Sequence, residues 1–372
     1  MSAVSDRLPT FPWDKLEPYK KTAAAHPDGI VDLSVGTPVD PVPELIQKAL
    51  AGASDSPGYP TVWGTPELRD ALVSWCERRL GARDFTHRNV LPVVGSKELV
   101  AWLPTQLGLG PGDKVAYPRL AYPTYEVGAR LARAEYVTYD TETLAAGAAG
   151  TDLDPEGIKL LWLNSPSNPT GRVLSKDELT RIVAWAREHG ILVFSDECYI
   201  ELGWEADPVS VLHPDVNGGS YEGLVTVHSL SKRSNLAGYR AAFLAGDAAV
   251  LGELLEIRKH GGMMTSAPTQ AAVVAALGDD QHVQEQRARY AARREQLRAA
   301  LEAQGFRIEH SEASLYLWAT RGESCWDTVA HLAELGILVA PGDFYGSAGE
   351  QFVRVALTAT DERVAAAVSR LA

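Results

Sequence analysis

The stretch KLLWLNSPSNPTGRVLSKDELTRIVAWAREHGILVFSDECY, residues 159–199, decides the fold class. It begins with a continuous apolar run, KLLWL, of the kind that forms a strand buried on both faces. Ser175 and Glu178 have the spacing of a capping box, and an amphipathic helical pattern follows them. Gly190 stands where a helix ends, and a second apolar run, ILVF, comes next. A strand, a helix and a strand in this order predict a parallel pair of strands with a crossover helix.

The same pattern extends over the first two thirds of the chain. Seven short apolar runs are predicted to be strands, and they lie at 90–94, 114–117, 136–139, 159–163, 191–194, 224–227 and 241–245. Helical patterns separate several of them, and Gly95-Ser96-Lys97 opens one such helix directly after the first run. We therefore predict an α/β fold with a mostly parallel, seven-stranded sheet and helices on both faces.

The pattern changes after about Gly246, where strands and helices mix in the manner of an α+β domain. The predicted elements there are a long charged helix at 282–303, two strands within 306–320 around a turn, a helix at 326–335, and strands at 337–340 and 351–357. We predict three parts: an N-terminal arm with part of the small domain at 1–40, a large domain at 41–250 and a small C-terminal domain at 251–372.

Composition excludes several classes of function. The 372-residue chain carries a net charge of −13 and no basic stripe, which disfavours binding to nucleic acid or anionic lipid. No apolar segment approaches the roughly 20 residues of a membrane span, and the first residues lack a signal-peptide core. The three cysteines are far apart in the sequence and predict neither a disulfide framework nor a metal site. A cytoplasmic protein without metal is expected.

Polar residues follow three of the predicted strands, and parallel sheets place ligand sites at those carboxyl ends. The three segments are NSPSNPTG at 164–171, SDECY at 195–199 and SLSKRSNLAGYR at 229–240. Each has a simple structural explanation, because Asn-Pro is a turn former, an aspartate can cap a helix and a loop lysine can be solvated. Their coincidence at successive strand ends favours a shared site instead.

The residue types in these segments suit one cofactor. Lys232 could form an imine with an aldehyde. Arg240 and nearby serines could hold a phosphate, as could the amide groups at the start of the helix after Gly95. Asp196 could face a protonated ring nitrogen, since a carboxylate at a buried strand end needs a partner. Together these features describe a site for pyridoxal 5′-phosphate.

On these three motifs the chain resembles the fold-type I, pyridoxal-phosphate-dependent aminotransferases of classes I and II over nearly its whole length. The separations of Asn168, Asp196, Tyr199, Lys232 and Arg240 match the pattern of that family. Further similar segments are VGTP at 35–38, GYPTVWGTPELRDAL at 58–72, YPTY at 122–125, PGDFYG at 341–346 and FVRVAL at 352–357. The resemblance implies an aspartate-aminotransferase-like fold and a homodimer.

The resemblance also implies roles for individual residues. Lys232 would hold the cofactor covalently and move the proton, Asp196 would keep the ring nitrogen protonated, and Tyr199 would tune the cofactor oxygen together with Asn168. The remaining expected ligands are Tyr122, which would stack on the ring; Ser96, Lys97, Ser229, Ser231 and Arg240, which would hold the phosphate; Arg354 and Gly36, which would bind the substrate carboxylate with Asn168; and Tyr59, which would reach the phosphate of the partner subunit. Tyr122 could instead merely pack, and Arg354 could form a structural ion pair.

The form SKRSNLAGYR is similar to the succinyldiaminopimelate aminotransferases of actinobacteria. This similarity implies transfer of an amino group from L-glutamate to N-succinyl-2-amino-6-oxopimelate, in the synthesis of lysine and diaminopimelate. Two alternatives stay within this chemistry, namely another amino-acid aminotransferase of the same classes or a C–S β-lyase. A regulator that uses this fold as a sensor would need a DNA-binding domain, and only about 30 residues precede the predicted core.

Overall fold

The computed structural model describes residues 4–147, 150–151 and 153–372. The strands are β1 (Val31–Asp32), β2 (Val90–Val94), β3 (Lys114–Pro118), β4 (Glu135–Tyr139), β5 (Ile158–Asn164), β6 (Leu192–Asp196), β7 (Leu224–Ser229), β8 (Ala241–Gly246), β9 (Arg307–Glu309), β10 (Tyr316–Thr320), β11 (Ile337–Leu338), β12 (Ala340–Pro341) and β13 (Val353–Ala356). The helices are α1 (Glu17–Ala24), α2 (Glu44–Gly52), α3 (Pro66–Trp75), α4 (Ser96–Gln106), α5 (Thr124–Ala132), α6 (Thr141–Ala145), α7 (Lys176–Glu188), α8 (Pro214–Asn217), α9 (Leu230–Arg233), α10 (Ala248–Gly261), α11 (Ala267–Leu277), α12 (Gln281–Ala303), α13 (Cys325–Glu334) and α14 (Asp361–Leu371).

Seven strands form one large sheet in the order β2-β8-β7-β6-β5-β3-β4. The pairs β6–β7, β5–β6, β3–β5 and β3–β4 are parallel, whereas β8 runs antiparallel to both of its neighbours. The predicted mostly parallel sheet of seven strands is therefore confirmed. Apolar clusters cover both of its faces, which explains the continuous apolar runs in its central strands.

Helix α7 shows how the local sequence specifies these crossovers. The Ser175 hydroxyl accepts a 3.3 Å hydrogen bond from the Glu178 amide, and the Glu178 carboxylate accepts one of 2.7 Å from the Ser175 amide. This is the predicted capping box, and it satisfies amide groups that an α-helix leaves free at its start. The apolar face of the helix is buried against the sheet, as its spacing predicts.

A second, antiparallel sheet has the order β12-β13-β10-β9, and β1 pairs with β11 in a separate parallel ribbon. The single strand predicted at 337–340 is therefore wrong in detail. Ile337 and Leu338 pair with Val31 and Asp32, whereas Ala340 pairs with Arg354 in the other sheet. The run divides because its two halves find hydrogen-bonding partners in different sheets.

The N-terminal arm packs against aromatic side chains of the C-terminal part of the chain. Tyr19 in α1 stacks on Trp326 in α13 at a ring-centroid distance of 5.4 Å, and Trp13 lies 5.3 Å from Phe344. The proposed domain division remains a prediction. The apolar side chains of α10 and α11 join the clusters of the large sheet, which favours a later boundary, after Leu277. Among the described residues, no helix combines the length and the apolar character that crossing a bilayer requires.

Candidate active site

Lys232 lies just beyond the end of β7, on the one-turn helix α9. The Ser229 hydroxyl accepts a 3.2 Å hydrogen bond from the Ser231 amide and so starts this turn. The Lys232 ammonium nitrogen donates to the Gly36 carbonyl oxygen. A β-carbon at position 36 would overlap the Tyr316 hydroxyl, so only glycine lets the backbone approach this closely. Burial lowers the pKa of Lys232, and the Arg354 and Arg240 cations lower it further.

Asp196 lies at the end of β6 and is buried. Its carboxylate accepts hydrogen bonds of 2.9 Å from the Tyr125 hydroxyl and 3.2 Å from the Cys198 amide. Within the described part of the chain, no lysine, arginine or histidine forms an ion pair with it. Burial raises the pKa of Asp196, although the two hydrogen bonds oppose that effect. Burying a carboxylate without an ion-pair partner is unfavourable, and a cationic group beside it would offset that cost.

Asn168 and Arg354 meet across the two sheets. The Arg354 guanidinium donates hydrogen bonds of 2.8 Å to the Asn168 side-chain oxygen and 2.9 Å to the Ser34 carbonyl. Asn164 holds the loop in place, because its side chain accepts from the Asn168 amide at 2.7 Å and donates to the Asp196 carbonyl at 2.9 Å. Arg354 is buried and forms no ion pair among the described residues, and its Nε atom has no partner there. The guanidinium therefore keeps an uncompensated charge and an unpartnered N–H group that could bind a carboxylate.

Three tyrosines line the space between these groups. The hydroxyls of Tyr199 and Tyr316 share a hydrogen bond of 3.0 Å, and the Arg354 guanidinium carbon lies 3.9 Å from the Tyr316 ring centre. Burial alone would raise the pKa of Tyr316, but the Arg354 and Lys232 cations lower it. Burial raises the pKa of Tyr122 to about 12, and the Asp196 carboxylate contributes to that rise. The stacking role of Tyr122 stays a prediction.

The expected phosphate ligands gather at the start of α4. Gly95 has a φ of 80°, and a β-carbon there would overlap the Arg240 guanidinium, which lies against the Gly95 backbone. The amide groups of the first turn of α4, beginning with Ser96, have no partner within the helix. The Ser229 hydroxyl donates to the Ser231 hydroxyl at 2.9 Å. Amide groups, hydroxyls and one guanidinium form a donor set that suits a phosphate.

Two expected ligands lie apart from this cluster. The Lys97 ammonium group lies 5.5 Å from the Phe11 ring centre, so only the backbone of Lys97 faces the phosphate donors. Tyr59 is 97% exposed, and its side chain is on the outside of the single chain. A role for Tyr59 therefore depends on a second subunit.

Sequence reasoning missed several residues that complete the site. Tyr125 belongs to the quoted YPTY segment, but its bond to Asp196 could not be foreseen, because the two residues are 71 positions apart. Asn164 begins the NSPSNPTG segment and was assigned no role. Tyr316 comes from the second sheet and had no sequence signal apart from its place in a predicted strand.

The arrangement can hold a flat, phosphorylated, cationic aromatic aldehyde beside a carboxylate. The amine of lowered pKa and the buried carboxylate lie at the carboxyl ends of β7 and β6, the phosphate donor set lies beside them, and the Arg354 guanidinium reaches Asn168 from the second sheet. The lowered pKa of the amine makes it a better proton acceptor than an ordinary lysine, and the guanidinium can orient a carboxylate next to it.

Comparisons with known proteins agree with this geometry. The model of the family "Aminotransferase class I and II" matches residues 28–371. The 4-dedimethylamino-4-oxo-anhydrotetracycline transaminase OxyQ of Streptomyces rimosus is 60% identical over 98% of this chain and 99% of that protein. The probable aminotransferase Rv1178 of Mycobacterium tuberculosis is 62% identical over 99% of this chain and 86% of that protein. The solved structure of a probable N-succinyldiaminopimelate aminotransferase from Thermus thermophilus has a TM-score of 0.85 at 30% identity, over 97% of this chain and 99% of that chain.

Members of this family use pyridoxal 5′-phosphate, and the residues present fit that cofactor. Among the described residues, no cation forms an ion pair with the buried Asp196 carboxylate. The protonated ring nitrogen of the cofactor would supply that cation. The Arg240 guanidinium reaches the start of α4 because Gly95 has no β-carbon, which places a cation beside the free amide groups of that helix. The Lys232 amine is available to an aldehyde because its pKa is lowered.

Proposed function

Because this chain belongs to the class I and II aminotransferases, we propose that it moves an amino group between L-glutamate and N-succinyl-2-amino-6-oxopimelate. Pyridoxal-phosphate-dependent amino transfer is the activity of the family, and amino acids and 2-oxo acids are its typical substrates. The observation that carries the chemistry is the buried, unpaired carboxylate of Asp196 in the same cleft as the Lys232 amine.

Lys232 and Asp196 have the central roles in this proposal. When bound, pyridoxal 5′-phosphate withdraws electrons from the α-carbon of the substrate through its protonated ring. The Asp196 carboxylate keeps that ring nitrogen protonated, and the Tyr125 hydroxyl holds the carboxylate in place. Lys232 Nζ accepts the proton that leaves the α-carbon, and burial lowers the pKa of this amine, which favours the neutral form that a base requires.

The other residues bind and orient. Arg354 holds the α-carboxylate of the substrate by charge-assisted hydrogen bonds, and Asn168 fixes the guanidinium through their 2.8 Å bond. Tyr199 and Asn168 donate to the ring oxygen of the cofactor, and Tyr122 covers the ring. The phosphate is held by Ser96, the Lys97 amide, Ser229, Ser231 and Arg240. Gly36 lets the backbone approach the substrate carboxylate.

We also propose that the active form is a homodimer. Tyr59 is 97% exposed in the single chain, although it belongs to a segment that matches the family pattern. A second subunit would bury this ring and bring its hydroxyl to the phosphate of the neighbouring site. The cytoplasmic location stays a prediction.

The succinyl substrate is supported by the SKRSNLAGYR segment and by similarity to the Thermus thermophilus structure. Its test compares N-succinyl-diaminopimelate with unsubstituted diaminopimelate as amino donors to 2-oxoglutarate. We expect the succinylated donor to have the higher kcat/KM, by at least about tenfold, since the site would have groups matched to it. Equal or reversed values would remove this substrate and leave the aminotransferase. Release of pyruvate from cystathionine without any amino acceptor would favour the β-lyase.

A second candidate substrate is a ring ketone. OxyQ, which is 60% identical to this chain, is named as a transaminase of 4-dedimethylamino-4-oxo-anhydrotetracycline. Amination of a polycyclic ketone with L-glutamate as donor, and failure with N-succinyl-2-amino-6-oxopimelate, would favour this candidate over the first.

A further inference from the structure

Two buried polar groups near Arg354 have no hydrogen-bond partner among the described residues. They are the indole nitrogen of Trp13, on the N-terminal arm, and the hydroxyl of Tyr345, which is 3% exposed. A buried donor without a partner costs about 1 to 3 kcal/mol, so proteins rarely keep one without a use. The proposed chemistry assigns no role to either residue.

The two side chains contact each other, and Tyr345 also contacts the carboxylate-binding arginine. The Trp13 and Tyr345 rings meet edge to face with centroids 6.5 Å apart, and Trp13 also packs on Phe344 at 5.3 Å. The guanidinium carbon of Arg354 lies 4.8 Å from the Tyr345 ring centre. The 3₁₀ turn Pro12–Leu16 therefore brings an indole to the tyrosine that borders Arg354.

Both groups are hydrogen-bond donors under ordinary conditions. Burial raises the pKa of Tyr345, and the neighbouring phenols Tyr316 and Tyr122 add to that rise while the Arg354 cation opposes it. The hydroxyl is therefore neutral and carries its proton. An indole nitrogen can only donate. Two unpartnered donors on adjacent rings, both buried, would be satisfied by oxygen acceptors.

We propose that Trp13 and Tyr345 hydrogen-bond a carboxylate or carbonyl oxygen on the side chain of the substrate. This inference rests on the proposed function, in which Arg354 and Asn168 hold the α-carboxylate. The side chain of the same substrate then extends past the Tyr345 face of the guanidinium toward the arm. The arm residue Trp13 is thereby a specificity-determining residue, and amino acids with an oxygen in the side chain are preferred over apolar ones of equal length.

The first test measures binding without turnover. Glutarate and valerate have the same chain length, but only glutarate carries a second carboxylate, and both can be titrated into the holoenzyme by calorimetry. In Tyr345→Phe we expect the Kd of glutarate to rise about 10- to 100-fold and that of valerate to change less than about twofold. Trp13→Phe, which keeps an aromatic ring, should show the same difference between the two ligands.

The second test measures single-turnover amino transfer from L-glutamate and L-norvaline. The same two variants should lose rate with L-glutamate and keep it with L-norvaline. Tyr139→Phe is the matched control, because its buried hydroxyl donates to the Trp162 carbonyl at 2.7 Å and has no part in the proposed site. Equal losses with both members of each pair, or no loss with either, would overturn the subsite. If the wild-type enzyme failed to convert any amino donor, the proposed function would fall, while the calorimetry would still decide the subsite.

Discussion

The Tyr125 hydroxyl donates a 2.9 Å hydrogen bond to the Asp196 carboxylate, and both groups are buried at the carboxyl end of the large sheet. This bond lowers the pKa of Asp196 against the raising effect of burial. Tyr125→Phe should therefore raise that pKa and weaken the hold of Asp196 on the ring nitrogen. We expect kcat for amino transfer to fall about tenfold, in line with one charge-assisted hydrogen bond.

A steady-state comparison of Tyr125→Phe with Tyr139→Phe measures this effect. Both substitutions remove a buried tyrosine hydroxyl, and the Tyr139 hydroxyl donates to the Trp162 carbonyl, outside the proposed site. Tyr139→Phe should lose about 1 kcal/mol of stability and keep its activity. If the two variants lost activity equally, Tyr125 would have a structural role alone.

Removal of the Lys232 amine should abolish covalent attachment of the cofactor. In wild-type holoenzyme, borohydride should fix one cofactor per chain, which mass spectrometry detects on the peptide that contains Lys232. In Lys232→Ala we expect no fixed cofactor and no amino transfer, since no other amine takes this place. Lys259→Ala removes an exposed lysine that pairs with Glu256 and should behave as wild type. Cofactor fixed to the Lys232→Ala chain would show that another lysine forms the bond.

Tyr316 should ionise at a lower pH than an ordinary tyrosine in the cofactor-free protein. The Arg354 and Lys232 cations lower its pKa below the ordinary value of 10.0, whereas burial raises the pKa of its partner Tyr199. A titration of the near-ultraviolet tyrosinate absorbance should show an early step that is absent from Tyr316→Phe. Tyr290→Phe should retain that step, because burial raises the pKa of Tyr290. An unchanged early step in Tyr316→Phe would assign it to another residue.

Glu197 should make the protein less stable at mildly alkaline pH. Burial raises the pKa of Glu197 from 4.5 to about 8, so the folded protein holds a proton that the unfolded chain releases. That stabilisation is complete below pH 4.5 and is lost as pH rises toward 8. The nearby His228 changes the stability with pH only below pH 6.5. Burial lowers its pKa from 6.5 to about 3, and the Arg233 cation adds to that effect.

Above pH 6.5 His228 no longer affects the pH dependence, and a comparison with Glu197→Gln isolates the Glu197 effect between pH 6.5 and 8. We expect the free energy of unfolding to fall by about 1 to 2 kcal/mol over this interval, as measured by urea denaturation. Glu197→Gln should remove the decline, since the amide does not titrate. A decline of equal size in Glu197→Gln would place its origin elsewhere.

Local sequence predicted the large sheet well, for a physical reason. Strands such as β5 and β6 are buried on both faces, and helix α7 begins at a capping box, so their patterns are unambiguous. The strand predicted at 337–340 was wrong because Val339 separates two halves that pair in different sheets. No pattern within five residues encodes which distant strand will be the partner.

The candidate site likewise contains some residues that the sequence predicts and others that it does not. Lys232, Asp196 and Asn168 follow predicted strands in recognisable segments, so their meeting at one sheet edge could be predicted. Tyr316 reaches the cleft from a sheet formed by residues far along the chain, and Trp13 reaches it from the arm. Such approaches depend on tertiary packing, which single-sequence patterns do not contain.

The most direct test of the account is a spectrum of the holoenzyme with L-glutamate and no amino acceptor. If Lys232 and Asp196 act as described, the absorbance of the lysine-bound cofactor should decrease as that of its aminated form rises, with one equivalent of 2-oxoglutarate released per site. Lys232→Ala should show neither change. A wild-type spectrum that stays constant at saturating L-glutamate, despite a fully bound cofactor, would contradict amino transfer from glutamate by this site.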